Sequence, residues 1–334
     1  MFIVSSYPIA VALCFVTMIC WGSWVNTQKL AGRQWNSQLF YWDYVIGILL
    51  FALLLGFTAG SIGDEGRSFV DDLKQANSGA LLSTFVGGVV CNLSNLLLVA
   101  ATEIAGIAIA FPVGVGLALV LGVIFNYVAA PEGDAMMLFA GVGLVVAAIV
   151  IQSIASSKMS RSQGKSSVKG LVVAIVSGCI MATFYRFVAA SMSLNFTDPE
   201  AGLMTPYSAL FVFAVGVLIS NFVFNTYFMR RPVSGEPVSY KDYLTKGSVS
   251  LHLIGIAGGV IWCLGMACSI IAAEKAGPAI SYGLGQGATL IAAVWGVFVW
   301  KEFRGAGRVV NALLTGMFVS FLTGLLMIVY AGMN

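Results

Sequence analysis

Few side chains in this chain of 334 residues place a polar group in an apolar setting, and most of those that do are uncharged. Asn92 and Asn95 are three residues apart, a spacing that puts both on one face of a helix. Gln286 adds a third carboxamide, and Tyr282 and Trp262 add aromatic rings. Such groups around a cavity suit a neutral solute rich in hydrogen-bond donors and acceptors, such as a sugar or a ureide. For each asparagine, the alternative is a hydrogen bond that bridges two helices.

Two ionisable residues also lie within long apolar stretches. Arg186 belongs to Thr183-Phe-Tyr-Arg-Phe187, and Asp43 follows Tyr41 and Trp42. Ionisable side chains inside a membrane are costly, so they are functional candidates by default. Arg186 is predicted to contact the substrate. Asp43, the only acid well inside an apolar run, is the candidate carrier of a coupling proton, although a helix-capping role would also explain it.

The residue patterns of common enzymes do not occur in the sequence. Gly164-Lys165-Ser166 resembles the end of a phosphate-binding loop, but Met159 stands where that loop requires its first glycine. The single histidine, His252, is expected at a surface. The six cysteines lie in apolar runs without metal-binding spacing, so packing explains them. We therefore predict no enzyme activity, no cofactor, no metal site and no nucleic-acid partner.

The composition places these residues in a lipid bilayer. Hydrophobic residues make up 59% of the chain and charged residues only 9%, whereas about a quarter of a soluble protein is charged. A membrane-spanning helix needs about 20 apolar residues, and ten runs qualify: 7–28, 38–60, 79–101, 105–128, 135–155, 168–191, 203–227, 250–273, 278–299 and 308–331. The runs do not alternate polar and apolar residues as β-barrel strands do. The prediction is an all-α polytopic membrane protein with ten transmembrane helices.

The basic residues are sorted between alternate loops. Thirteen lysines and arginines lie in or beside the loops that follow odd-numbered runs, and three follow even-numbered runs. Because cytoplasmic loops carry the excess of positive charge, the odd loops are predicted to be cytoplasmic. Both termini then lie outside an inner or plasma membrane.

An internal repeat organises the chain. Residues 258–298 match residues 87–127 at a constant offset of 171, with 14 identities in 41 pairs. Each half holds five runs, so the second half is predicted to be inverted relative to the first. The predicted units are a first repeat at 1–156, a basic cytoplasmic linker at 157–168 and a second repeat at 169–334. Two longer loops, 61–78 and 229–249, are expected to lie outside the repeat.

Helix-breaking residues recur at matching places in the two halves. Pro112 matches Gly283, and the glycines two and four residues further on match each other. Such breakers are the best pointer in a sequence to a transport site, although close helix packing would also explain the glycines. The predicted helix breakers at the site are Pro112, Gly114, Gly116, Gly283, Gly285 and Gly287. The predicted substrate-binding residues are Asn92, Asn95, Phe111, Arg186, Trp262, Tyr282 and Gln286.

Two segments carry a resemblance to a known family. Cys20-Trp21-Gly22-Ser23-Trp24 ends the first run, and residues 110–117 read Ala-Phe-Pro-Val-Gly-Val-Gly-Leu. With ten helices in two inverted halves, the chain resembles the drug/metabolite transporter superfamily, and is most similar to its ureide permease and glucose/ribose/rhamnose uptake branches. The resemblance implies a secondary carrier of small polar metabolites with outward termini. Plant ureide permeases carry a long central loop with a nucleotide-loop-like motif, whereas the loop here is short and lacks the first glycine.

These inferences predict a secondary transporter. It would import a sugar, a ureide or a nucleobase-like solute by alternating access, as a symporter with a proton or sodium ion or as a facilitative carrier. An exporter of metabolites or drugs is the alternative within the same superfamily. An intramembrane enzyme that modifies lipids is a remote alternative, because no cluster of nucleophile, base or metal ligands is present.

Overall fold

The computed structural model describes residues 1–32, 35–159, 168–233 and 236–333, without the side chains of residues 107–109 and 111. In these ranges ten helices are long and apolar enough to cross a membrane, which confirms the ten predicted runs to within four residues at every end. Most of the predicted linker lies outside the described residues. Spans 1 to 10 are Tyr7–Ala31, Ser37–Phe57, Ser78–Ala105, Ile107–Ala129, Ala135–Met159, Val168–Ala189, Pro206–Arg230, Val249–Ala276, Pro278–Val299 and Arg308–Ala331.

Two of the spans are interrupted. Span 1 consists of helices Tyr7–Ser23 and Val25–Ala31, which are separated at Trp24. Span 9 consists of helices Pro278–Gly285 and Ala288–Val294 and a terminal π-helical turn, Trp295–Val299. The interruption in span 9 lies near the middle of that span, and the interruption in span 1 lies in its last third, toward Ala31.

Span 4 is one continuous helix that contains Pro112, so the predicted break at Pro112 is wrong. The proline lies in the second turn, where its missing N–H removes a single intrahelical hydrogen bond. The glycines that follow, Gly114 and Gly116, also lie within this helix. The halves therefore differ here, because the matching span 9 is broken just after Gly285.

Two short helices connect spans at opposite ends of the bundle. Phe69–Gln75 precedes span 3, and Tyr240–Lys246 precedes span 8; each has seven residues. Their bounds differ by 171 residues, as do the bounds of the spans that follow them. The expectation that loops 61–78 and 229–249 lie outside the repeat is therefore wrong for these helices.

Glycines let the central spans approach closely. Span 3 packs against spans 6 and 7, and span 8 against spans 1 and 2. A side chain at Gly88 of span 3 would overlap the carbonyl of Phe213 in span 7, and one at Gly259 of span 8 would overlap the carbonyl of Tyr44 in span 2. Small residues at such crossings allow backbone contact between membrane helices.

The bundle has two ends that differ in charge. One end, called here the basic end, carries the connections between spans 1 and 2, 3 and 4, 7 and 8, and 9 and 10. Lys29, Arg230, Arg231, Lys301 and Arg304 lie there. The other end carries both termini and the connections after spans 2, 4, 6 and 8, and is called the terminal end.

Candidate functional site: a central cavity and its two ends

A cavity of about 140 Å³ lies among spans 1, 3, 4, 6, 8 and 9. Most of its wall is apolar and includes the indole rings of Trp21, Trp24 and Trp262. Asn95 and Gln286 supply carboxamides at its surface. None of the described residues that line this central cavity is charged, so the cavity suits a neutral molecule.

Both helix interruptions meet this cavity. Trp24 stands at the break in span 1 and Gln286 at the break in span 9, and both line the cavity. At the second break the bonding changes from four-residue to three-residue steps: the Gly287 N–H donates to the Leu284 carbonyl at 2.9 Å, and the Leu290 N–H donates to the Gly287 carbonyl at 2.9 Å. Irregular backbone at membrane depth is tolerated where it is buried in protein or lines a cavity.

The amide of Gln286 is available to a ligand. The residue is 8% exposed, and within the described ranges its side chain has no protein hydrogen-bond partner. The other cavity carboxamide, on Asn95, makes a long contact of 3.9 Å from Nδ2 to the sulfur of Cys91. The cavity therefore presents both donors and acceptors beside aromatic rings.

The aromatic wall is tightly packed. The rings of Trp21 and Trp262 stack with centroids 5.9 Å apart and planes 17° apart, and Trp21 Nε1 donates to the Trp262 carbonyl at 3.2 Å. On its other side Trp262 stacks on Phe213 at 5.9 Å. Trp24 packs against Tyr44 at 4.7 Å. Rings held from several sides form a preorganised surface, which reduces the entropy lost when a ligand binds.

A second cavity of about 320 Å³ leads from the central cavity to the basic end. The two share Trp24, Val25, Asn95 and Leu98 as wall residues. Further out, this vestibule is lined by polar residues of spans 1, 2, 3 and 7, among them Gln28, Gln38, Glu103 and Asn225. Within the described part of the chain, the vestibule therefore connects the central cavity to the basic end.

At the terminal end lies a hydrogen-bonded group called here the terminal latch, which consists of Arg67, Asp72, Gln75 and Thr205. Asp72, on the short helix Phe69–Gln75, is fully buried. Its carboxylate accepts hydrogen bonds from Arg67 Nη1 at 2.9 Å, from the Thr205 N–H at 2.7 Å and from the Thr205 hydroxyl at 3.0 Å. Gln75 Nε2 donates to the carbonyl of Leu203 at 2.8 Å. These bonds hold the connection between spans 6 and 7 against the short helix.

A matching group, the basic latch, surrounds Asp43 and consists of Trp35, Asp43, Tyr243 and His252. Asp43 is fully buried and accepts from Trp35 Nε1 at 2.9 Å and from the Tyr243 hydroxyl at 2.5 Å, and His252 Nδ1 lies 2.8 Å from its Oδ1. Burial has the largest effect on the pKa of Tyr243 and the neighbouring Asp43 carboxylate the next largest, and both raise it well above its usual value near 10. Tyr243 therefore remains a hydrogen-bond donor. His252, expected at a surface, is instead only partly exposed and paired. Asp43 lines neither cavity.

The structure brings together some of the predicted site residues and separates others. Asn95, Trp262 and Gln286 line the central cavity. Asn92 is buried and donates to the Ser220 hydroxyl at 2.9 Å, and Tyr282 is buried and donates to the Ala118 carbonyl at 3.0 Å, so both bridge helices. Arg186 lies in the last turn of span 6 and lines neither cavity. The side chain of Phe111 lies outside the described residues.

The predicted breakers are likewise divided. Gly285 and Gly287 flank the break in span 9 beside the cavity, whereas Gly283 lies within the helix that precedes it. Sequence reasoning missed Trp21 and Trp24 as wall residues, although their segment had marked the family resemblance. It also missed Asp72, because a buried carboxylate in a loop cannot be told from a solvated one by local sequence.

Comparison with known proteins shows to which class this protein belongs. A solved crystal structure that is 15% identical aligns with 96% of this chain and 98% of its own, at a TM-score of 0.59, which shows that the fold occurs in a known protein. The profile of the ureide permease family matches residues 40–163 and 156–331. The protein belongs to the ureide permease family.

Relatives from plants agree along nearly the whole length. Ureide permease 1 of Arabidopsis thaliana is 22% identical over 96% of both chains, and ureide permease 5 is 23% identical over 98% of this chain and 95% of its own. A probable ureide permease A3 of Vigna unguiculata is 23% identical over 90% of this chain and 96% of its own. Permeases are transporters, so the relatives agree with the prediction that the chain is not an enzyme.

Proposed function

We propose that this protein is a secondary transporter of small, neutral, N–H-rich solutes of the ureide or nucleobase type, which it binds in the central cavity. The observation that carries the proposal is an uncharged cavity in which the unpartnered amide of Gln286 lies beside stacked indole rings. A flat solute with alternating N–H and C=O groups can stack on an indole while it pairs with a carboxamide through both a donor and an acceptor.

The size of the cavity favours a metabolite over a drug. Sites for drug-sized ligands hold about 300–1,000 Å³, and the central cavity holds about 140 Å³. A broad drug exporter would be expected to need more space. A sugar fits by volume, but flat indole walls and few polar groups suit a planar solute better.

The proposed mechanism is alternating access between two inverted five-helix repeats, 1–156 and 169–334, as in the drug/metabolite transporter superfamily. Matched contacts support it. Gly47 of span 2 lies against the Ile256 carbonyl of span 8, and Gly216 of span 7 lies against the Phe85 carbonyl of span 3. These four residues pair at offsets of 169 for spans 2 and 7 and 171 for spans 3 and 8.

Hydrogen bonds add a second matched pair. The Thr17 hydroxyl of span 1 donates to the Gly265 carbonyl of span 8 at 2.9 Å, and the Ser177 hydroxyl of span 6 donates to the Ser94 carbonyl of span 3 at 2.8 Å. Exchange of the two halves converts one bond into the other. Equivalent packing of this kind is what a rocking movement of one repeat against the other requires.

Direction and energy coupling belong to the same proposal. The basic end faces the cytoplasm, the termini face outward, and the open vestibule releases solute inward during uptake. Asp43 is the proposed site for a coupling proton, and the His252 imidazole lies beside it, with Nδ1 2.8 Å from the Asp43 Oδ1. Sodium coupling and facilitated diffusion are the alternatives.

Binding to the purified protein tests the solute class. A radiolabelled cyclic ureide should bind and should be displaced by nucleobases but not by hexoses. The same ureide should accumulate in proteoliposomes, and Gln286→Leu should weaken binding while the yield of folded protein stays unchanged. Displacement by hexoses alone would replace the ureide proposal with a sugar transporter.

Labelling tests the orientation. A membrane-impermeant thiol reagent applied to intact cells should modify a cysteine introduced at Ser61, at the terminal end, and should leave one at Arg304, at the basic end, unmodified. The reverse pattern would mean that the basic end faces the outside of the cell and that the vestibule opens outward.

A further inference from the structure

The outer face of span 7 carries a groove that the transport pathway does not use. This groove, of about 550 Å³, is lined by Phe222, Val223, Thr226, Tyr227, Arg230 and Arg231. These positions form two rows with a four-residue spacing, so they occupy one face over the last turns of the helix. Phe222 and Val223 are 57% and 65% exposed, and on a membrane-spanning helix such side chains contact lipid.

The end of the groove is cationic. Arg230 ends span 7 and Arg231 follows it, and both are exposed. Neither takes part in an ion pair within the described part of the chain. Asp242, on the adjacent short helix, is already engaged by Lys246 at 2.8 Å and by Ser239. The two guanidinium groups therefore stand beside an apolar surface without a protein anion to neutralise them.

Aromatic residues hold the wall of the groove in place. Trp42 contacts Phe222 edge to face at 4.8 Å and Tyr240 at 5.6 Å. The Tyr240 hydroxyl also bonds to the hydroxyl of Thr226. Tryptophan and tyrosine concentrate at the depth of lipid headgroups, so the arginines lie where a phosphate would be.

We infer that this groove is a binding site for an anionic phospholipid, with acyl chains along Phe222 and Val223 and the headgroup phosphate on Arg230 and Arg231. Arginine binds phosphate through two parallel hydrogen bonds, which an exposed pair beside an apolar face can supply. The groove faces the bilayer, so its apolar part is expected to contact lipid acyl chains. The positive charge of Arg230 and Arg231 favours an acidic headgroup over a zwitterionic one. The site is independent of the proposed transport function.

Native mass spectrometry of the detergent-purified protein tests the inference, with phosphatidylglycerol and phosphatidylcholine as competing lipids. The wild type should retain phosphatidylglycerol preferentially. Each basic residue near an anionic lipid contributes about fivefold in affinity, so Arg230→Gln with Arg231→Gln should weaken retention by roughly 25-fold. Replacement of both by lysine should keep most of the preference, because the charge remains.

The matched control is Arg304→Gln with Arg308→Gln, which removes the same charge from the same end of the bundle but not from the groove. It should leave the preference for phosphatidylglycerol unchanged. Equal losses in both double variants would mean a diffuse effect of charge and would overturn the site, as would equal retention of both lipids by the wild type. If the double variant does not fold, Arg231→Gln alone, beyond the end of span 7, should reduce retention about fivefold, and no change would overturn the site.

Discussion

The segments 68–129 and 239–300 contain the same elements in the same order and use them differently. Each begins with a seven-residue helix, continues into a 28-residue span and turns at a glycine with positive φ, Gly106 or Gly277. Ser68 and Ser239 precede the short helices at equivalent positions. Asn77 and Ser248 cap the long spans in the same way, each accepting from the N–H three residues on. The two segments therefore share their arrangement of helices and caps, but they differ in the functional side chains that those helices carry.

The first difference is the position of the buried carboxylate. In the terminal latch Asp72 belongs to the short helix and is paired with Arg67. In the basic latch Asp43 belongs to span 2, and the short helix supplies Tyr243 while span 8 supplies His252. A guanidinium and Thr205 therefore bind the carboxylate of the terminal latch, whereas an indole, a phenol and an imidazole bind that of the basic latch. The two latches are similar in build and differ in the groups that bind their buried carboxylates.

The second difference is the continuity of the last span. Span 4 is a single helix through Pro112, whereas span 9 breaks at Gln286 beside the central cavity. Within this matched pair of spans, the break and the polar side chain beside the cavity therefore belong to span 9. The first half supplies Val115 at the position that matches Gln286, as an apolar part of the same wall.

The largest effect is expected from Asp72→Asn in the terminal latch. Removal of one partner of a buried ion pair costs about 3–5 kcal/mol, and the lower figure applies because the Arg67 side chain is 20% exposed. Thermal unfolding in detergent measures the loss. A cysteine at Thr289, on the wall of the central cavity, should also become reactive to reagent applied from the terminal side.

Asp71→Asn is the control for this variant. Asp71 is the exposed neighbour on the same short helix and accepts from the Ser68 hydroxyl at 2.6 Å. Its replacement should change stability by no more than about 0.5 kcal/mol. Equal effects at the two positions would show that the terminal latch does not close this end of the bundle.

In the basic latch, Asp43→Asn is expected to abolish uptake driven by a pH gradient while solute exchange continues. In the wild type Trp35 and Tyr243 donate to different oxygens of Asp43. The neutral amide has a single acceptor oxygen and can keep only one of these two bonds, so the loss of hydrogen bonds to a charged group should cost about 2 kcal/mol. Proteoliposomes with and without an imposed pH gradient separate the two activities. Tyr243→Phe should weaken the latch without loss of coupling. Full pH-driven accumulation by Asp43→Asn would leave Asp43 a structural residue.

A third test addresses the broken span. Gln286→Ala removes an amide that faces the cavity, and a hydrogen bond of about 1 kcal/mol corresponds to a loss of about fivefold in affinity. Asn92→Ala and Tyr282→Phe, which the sequence placed at the site, remove bonds between helices and should lower thermal stability more than affinity. Calorimetric titration with the ureide measures affinity. If all three variants lose affinity equally, the cavity must extend to Asn92 and Tyr282.

The sequence predicted the framework better than the site, for a physical reason. Span positions follow from the apolar length that a bilayer requires, which is a local property, and all ten spans were found. Closure of the latches depends on contacts between residues far apart in sequence, such as Asp72 with Thr205 and Asp43 with His252. The same limit applies to Trp21 and Trp24, because an interfacial tryptophan and a cavity tryptophan look alike until the helices are packed.

The smallest expected effect comes from the matched hydrogen bonds of spans 1 and 6, and it tests the equivalence of the halves most directly. Thr17→Val and Ser177→Ala each remove one buried hydroxyl that donates to a carbonyl of the neighbouring long span. Each should cost about 1 kcal/mol, and the double variant should lose the sum, because the two sites share no partner. Thermal unfolding of the four proteins gives the three differences. Equal and additive losses of stability are expected if the two hydrogen bonds contribute equally to the stability of the two halves. A loss confined to Ser177→Ala would mean that the bond between Thr17 and Gly265 does not contribute to the stability of the bundle. Spans 1 and 8, which this bond joins, would then be the pair of helices expected to move when the terminal end opens.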